Sequence, residues 1–209
     1  DTLHTRLYAV GCRTLRLCMH EHYEDTPWRE QALYAMDGRN QMLFGYYAFG
    51  ETAFAAASLR LLSLGLRPDG LLELCAPARV PVTIPAFSLC FVIALREYAR
   101  YANDTALVRE LWGTVERVLS TFAEKAAEIG GVLPPRFCGE QMWNFYEWQP
   151  GLDGAVCGGR PGEETVIDAP LCAFYAMALR DAADLAQSTG RPEISAQYRQ
   201  RYAQVRGAV

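Results

Sequence analysis

Apolar residues recur at three- and four-residue spacing through most of this chain, and that periodicity constrains its fold more than any other feature. It predicts helices near 2–19, 28–48, 51–64, 86–103, 105–129, 167–189 and 192–207. The connections fall into two classes. Asn103-Asp104-Thr105 and Gly190-Arg191-Pro192 mark abrupt helix-to-helix turns, so the helices they join run antiparallel. Gly50 and Gly65 mark two further helix ends. Two stretches are instead long. Residues 67–85 carry apolar runs at Leu71–Leu74 and Val80–Ile84 that suit short strands, while Pro77, Pro81 and Pro85 limit any sheet. Residues 130–166 are rich in glycine but also hold Trp143, Tyr146, Glu147 and Trp148, aromatic anchors that argue against disorder. The expected fold is all-α: helical hairpins arranged in a ring, with the long loops gathered at one rim. No fixed-length repeat points to a regular solenoid.

At 209 residues and 51% hydrophobic, the chain can bury one sizeable core. A net charge of −4 without a basic stripe argues against nucleic acid. The longest apolar stretch, 84–95, is too short to cross a bilayer, and no signal peptide is read. The 7 cysteines include no C-x-x-C pair, so they read as reduced core or near-core thiols of a cytoplasmic protein. The chain starts at Asp1, already in helical register, and stops just after another helix, which suggests a piece of a longer polypeptide with further domains. The stripe Phe87, Cys90, Phe91, Ala94 and Leu95 reads as core, and Arg100, Arg109 and Arg117 as solvated.

The densest chemistry lies in Glu24-Asp25-Thr26-Pro27-Trp28-Arg29-Glu30-Gln31, followed by Tyr34 and Asp37. Thr26 and Pro27 read as a helix cap and first helical residue. Glu30, Tyr34 and Asp37 would then share one helical face, with Asp25 beside them. Paired carboxyls of this kind serve glycoside hydrolysis, one protonating the leaving oxygen and another activating water or attacking the sugar. Glu30 is the candidate acid. A helix N-terminus would favour its ionised form, against that role, whereas burial by Trp28 or Tyr34, or repulsion from Asp25 and Asp37, would favour the acid. The plainer alternative is that these acids only complement a helix dipole.

Gln141–Trp148 forms a second cluster. Its Trp and Tyr faces suit sugar C–H faces, and Glu147 suits a hydroxyl or a second carboxylate role; anchoring of the loop explains the same rings equally well. Asp153 reads as a turn residue. His20-Glu21-His22 lacks metal-site spacing, although His22 is near enough to Asp25 to line a pocket. Nucleophile-elbow, P-loop and dinucleotide motifs are absent.

The segment His22–Gln31 with Tyr34 and Asp37 resembles the acidic motif of bacterial α-L-rhamnosidases, and Trp143, Glu147 and Trp148 resemble that family's later aromatic and acidic segment. Thr26 stands for the family's usual Cys, Met36 for its Gly, and Glu30 follows Arg29 directly. The resemblance implies a six-hairpin (α/α) toroid, of which seven helices make an incomplete portion of a single domain, and hydrolysis of α-L-rhamnosides by inversion without a metal or organic cofactor. It further implies that Glu30 is the general acid, that Asp25, Arg29 and Asp37 bind the sugar with Tyr34 as a wall, and that Trp143, Glu147 and Trp148 close over it. The family's general base comes from a later loop, for which 1–209 offer no equivalent. A non-catalytic sugar-binding module is the alternative function. A terpenoid-cyclase-like toroid is disfavoured by the lack of clustered aspartates for a diphosphate-bound metal.

Overall fold

Residues Pro85–Leu95 are buried without a break, so the helix they open has no solvent face for its first three turns. A helix apolar all round must sit inside a core. The computed structural model, which describes residues 1–76, 78–154 and 162–209, surrounds this helix with others. Seven helices are present among the described residues: α1 (Thr2–Leu17), α2 (Ala35–Phe49), α3 (Ala53–Leu64), α4 (Pro85–Ala102), α5 (Ala106–Glu128), α6 (Ala169–Ser188) and α7 (Pro192–Ala208). The chain is all-α, with no strand among the described residues.

Contacts arrange the helices in two layers. α4 packs on α2 and α6 within an inner layer and on α3 and α5 behind it, while α1 packs on α2 and α7 on α6. The direction of the inner helices follows from their side-chain pairs. At their starts, Tyr34 meets Phe87 edge-on at 6.3 Å. At their ends, Tyr46 stacks on Tyr101 at 4.8 Å, and the Tyr47 and Tyr101 hydroxyls lie 2.6 Å apart. Thus α2 and α4 run parallel. Phe122, late in α5, stacks on Tyr175, early in α6, at 5.6 Å, so α5 and α6 are antiparallel and α6 shares the direction of α4. All three inner helices therefore begin at one rim.

Short turns return the chain at the other rim. Gly50 and Asn103 cap α2 and α4 in the left-handed conformation, at φ 64° and 50°. The second turn is stapled by Asp104, which accepts from the Ala106 amide at 2.7 Å and the Tyr98 hydroxyl at 2.8 Å. The long segments that lead into inner helices, described over 18–34, over 65–76 with 78–84, and over 129–154 with 162–168, all decorate the same rim.

One expected boundary is wrong, and it falls on the chemistry. The helix predicted over 28–48 begins only at Ala35. Thr26 and Pro27 open a single turn, in which the Glu30 amide donates to Thr26 Oγ1 at 3.3 Å. Gln31 then turns left-handed at φ 54° and stops it. Asp25 and Ala32 close the loop: the Asp25 amide donates to the Ala32 carbonyl, and the Ala32 amide donates to Asp25 Oδ1 at 2.9 Å. Leu33, fully buried, is paired with Ala76. Burial of Leu33 and pairing of its backbone outweigh the local helix signals.

Other expectations need smaller changes. The apolar runs at 71–74 and 80–84 form isolated bridges, Leu66 with Leu72 and Thr83 with Met142, rather than strands. Arg100 and Arg109 are exposed, but Arg117 is half-buried and donates to the Pro68 carbonyl. Cys18, Cys75, Cys90 and Cys172 are buried and free, and Cys12 and Cys138 partly buried; Pro77 and Cys157 lie outside the described residues. α1 leaves Leu3, Leu7, Tyr8 and Val10 exposed.

Since α4 is the hub, truncating its fully buried Phe91 should cost about 3–5 kcal/mol. Urea denaturation of Phe91→Ala checks this; a loss below about 1 kcal/mol would mean that α4 is not the centre of the core.

Candidate functional site

The rim where the inner helices start holds a pocket of about 390 Å³, lined by Asp25, Thr26, Glu30, Tyr34, Asp37, Ile84, Phe87, Trp143, Phe145 and Trp148. These residues lie far apart in sequence, and each segment reaches the pocket for a local reason. Asp25 to Glu30 are carried by the loop that the Asp25–Ala32 pair closes. Tyr34 stands at the extended cap position of α2, and Asp37 lies in the first turn. Ile84 and Phe87 open α4.

The aromatic loop is hydrogen-bonded to the entry of α4. The Thr83 amide donates to the Gln141 carbonyl at 2.8 Å, and the Trp143 amide donates to the Thr83 carbonyl at 2.9 Å. That pairing sets Trp143 beside Ile84. The Trp143 indole N–H donates to the Asp153 carbonyl at 2.8 Å, so the Asp153 turn does hold structure. Trp143, Phe145 and Trp148 pack together with centroids 4.8–5.9 Å apart, and Phe145 packs edge-on against Phe87 at 6.2 Å. Between the loop's rings, the buried Tyr146 donates to Asp168 at 2.9 Å, and Arg136 also grips Asp168, at 2.8 Å. Asp168 precedes α6, so the aromatic wall is tied to two inner helices.

The floor is acidic. Burial pushes the Asp37 carboxyl above the usual aspartate range, and the charges of Asp25, Glu30 and Glu147 push the same way, while its own amide opposes them. The positive end of α2 also favours the ionised form. The dipole effect expected for Glu30 thus belongs to Asp37, because Glu30 stands outside the helix. Glu30 is exposed at the mouth, where the Tyr34 hydroxyl donates to its Oε2 at 2.8 Å. Burial first, and then the bond to Glu30, hold the Tyr34 phenol far above its ordinary range, so it stays a donor. Burial first, and then the charges of Glu73, Asp25 and Glu30, push the Cys75 thiol up and keep it protonated.

Of the residues singled out in the sequence, Asp25, Glu30, Tyr34, Asp37, Trp143 and Trp148 meet in this pocket. Arg29 and Glu147 do not line it. Arg29 is exposed, and Glu147 folds back to accept from the Trp148 amide at 2.7 Å. Trp28 is also exposed, so it buries neither Glu30 nor the pocket. His22 bonds to the Tyr23 carbonyl instead of lining the pocket, and His20 pairs with the buried Glu24 at 2.8 Å. No group of three His, Cys, Asp or Glu side chains among the described residues is placed to hold a metal. Ile84, Phe87 and Phe145 were missed as site residues. Phe87 shares the α4 core stripe, and only the position of its helix start at the rim reveals a pocket face.

Two solved structures resemble the chain. One is described as a GH78 family rhamnosidase of Bacillus sp. GL1: TM-score 0.83, 27% identity, covering 98% of this chain and 20% of that one. The other is described as a rhamnosidase from Klebsiella oxytoca with rhamnose bound: TM-score 0.76, 26% identity, covering 96% of this chain and 37% of that one. The chain therefore spans well under half the length of either. No curated protein matches it. The family model described as bacterial alpha-L-rhamnosidase 6 hairpin glycosidase domain matches residues 1–209.

The Asp37 shift carries a sign that can be tested. Its folded pKa lies above its unfolded value, so the folded state holds the proton more tightly. That contribution to stability is full below the ordinary aspartate range and is lost as pH rises through the raised value. Asp37→Asn should therefore raise Tm at about pH 7 and by a smaller margin at about pH 3. Thermal unfolding followed by circular dichroism checks it, and an equal effect at both pH values would refute the burial argument.

Proposed function

Because the chain belongs to the bacterial alpha-L-rhamnosidase six-hairpin glycosidase family, we propose that it is part of one (α/α) toroid domain of an inverting α-L-rhamnosidase. The observation that carries this reading is the convergence of three carboxylates and five aromatic residues from separate segments in one rim pocket. Carboxylates bind sugar hydroxyls and move protons, and aromatic faces cover sugar C–H surfaces.

Depth separates the roles. The general acid must reach the oxygen between the sugar and its leaving group, and Glu30 is the exposed carboxyl at the mouth. Asp25 and Asp37, half-buried below it, bind the ring hydroxyls. Trp143 and Trp148 form the covering wall. Arg29 and Glu147 reach the substrate only by moving from their present positions. In the reaction Glu30 gives its proton to the glycosidic oxygen as the bond to the anomeric carbon breaks, and that oxygen keeps the bonding pair. Water attacks the opposite face and loses a proton to a carboxylate outside residues 1–209. Glu147 is the weaker candidate for that base, since its carboxylate is turned onto its own backbone. The chemistry asks for no metal or organic cofactor. No helix among the described residues is long and apolar enough to cross a membrane; a cytoplasmic enzyme acting with further domains of the same polypeptide fits this reading.

The raised Asp37 supports one competing assignment, with Asp37 as the proton donor. A protein that grips the sugar without cleaving it is the other, favoured by the position of Glu147. Replacing Glu30 by Gln in the full-length protein separates them. Turnover of methyl α-L-rhamnoside should fall roughly 10²–10⁴-fold, while rhamnose affinity is kept. Unchanged turnover would remove Glu30 as the acid, and absence of turnover in the parent protein would favour the binding module.

A further inference from the structure

Glu30 is exposed, and an exposed carboxyl on a loop has several rotamers open to it. An acid catalyst cannot use that freedom, because its proton must point at one oxygen. Among the described residues, the side chain that holds the Glu30 carboxyl is Tyr34, whose hydroxyl donates to Oε2 at 2.8 Å. The Glu30 backbone is restrained separately, by its amide bond to Thr26 Oγ1.

Tyr34 is itself well placed to be a fixed point. Its carbonyl accepts the Gly38 amide at 2.8 Å, which ties it to the first turn of α2. Its half-buried ring rests edge-on against Phe87 of α4, itself buried. The hydroxyl thus belongs to the rigid inner layer, while Glu30 belongs to the loop. We infer that Tyr34 is a positioning residue, whose hydroxyl occupies one carboxyl oxygen of Glu30 and leaves the other as the oxygen that carries and delivers the proton. A carboxylic acid that accepts a hydrogen bond on one oxygen places its own proton on the other. The phenol proton stays on Tyr34 throughout, and the only proton transferred to the leaving oxygen is that of Glu30. The inference rests on the reading of Glu30 as the acid and gives Tyr34 a task beyond forming a wall.

The test is Tyr34→Phe in the full-length protein, assayed on two substrates of one sugar. Methyl α-L-rhamnoside has a poor leaving group that needs the proton, whereas 4-nitrophenyl α-L-rhamnoside has a good one that barely does. Loss of the hydroxyl should lower kcat on the methyl glycoside roughly ten-fold, on the 4-nitrophenyl glycoside less than about two-fold, and leave KM nearly unchanged on both. Equal losses on both substrates, or none, overturn the inference. Glu30→Gln assayed in parallel keeps the two readings apart. If it spares the methyl glycoside, the acid assignment itself fails; if it abolishes turnover while Tyr34→Phe shows no leaving-group bias, only the positioning role fails.

Should Tyr34→Phe not fold, Glu30→Ala in the full-length protein tests the bond from the other side without disturbing the core. The Tyr34 hydroxyl donates to Glu30 Oε2, so removing Glu30 should shift the resonance of the ring carbon next to that hydroxyl at neutral pH. An unmoved resonance overturns the inference.

Discussion

The burial of α4 on every face is the constraint on which the rest depends. Its first eleven residues, Pro85 to Leu95, all lie out of solvent, so helices must stand on all sides of it. Burying a Leu or Phe side chain is worth roughly 1.5–3 kcal/mol, and α4 gathers Leu89, Phe91, Val92 and Leu95 in just under two turns. With α2 and α6 flanking it in the same direction, each connection between inner helices must travel out and back through an outer one. The returns at one rim are tight, capped by Gly50 and Asn103. The chain length left over collects at the opposite rim, where the inner helices begin. Packing of the core thereby decides where a pocket can form.

Backbone pairing among the rim loops then decides what lines that pocket. Leu33 pairs with Ala76, and Thr83 with Met142, so the acidic loop, the 65–84 connection and the aromatic loop are joined edge to edge. Tyr146 and Arg136 add a tie through Asp168 to the start of α6. The result puts Asp25, Glu30 and Asp37 around one space with Trp143, Phe145 and Trp148 over it. Such an arrangement is costly to the fold. Asp37 is held where burial and three neighbouring charges oppose its ionisation. Natural proteins tolerate costs of this kind at sites that act on something else.

The helices were largely legible because their signals are local and repeated. Seven were expected and seven stand among the described residues, most with ends within about two residues, the usual scatter of helix boundaries. The start of α2 was misplaced by several residues, and the cause is specific. Thr26-Pro27 is a sound cap sequence, and it does open a turn. Gln31 at φ 54°, the Asp25–Ala32 pair and the buried Leu33 then end that turn, and of these only the last leaves a trace in the sequence, as one apolar residue among many. The grouping of Glu30, Tyr34 and Asp37 was right for the wrong reason. They meet because a loop folds back over a helix start, and not because they share a helical face.

The sequence alone determined the periodic elements, the alternation of tight and long connections, and the clustering of acids and aromatic residues. Helical spacing, glycine turns and clusters of acids and tryptophans are properties of neighbours along the chain, and neighbours can be read in order. The tertiary structure decided which of those residues face one another. It brought Phe87 and Phe145 into the pocket, kept Arg29 and Glu147 off its walls, moved the helix field from Glu30 to Asp37, and set the Tyr34 hydroxyl against the Glu30 carboxylate. Each of these depends on the parallel setting of the inner helices and the pairing of loops distant in sequence, and no local pattern encodes a contact between segments that meet only once the core has packed.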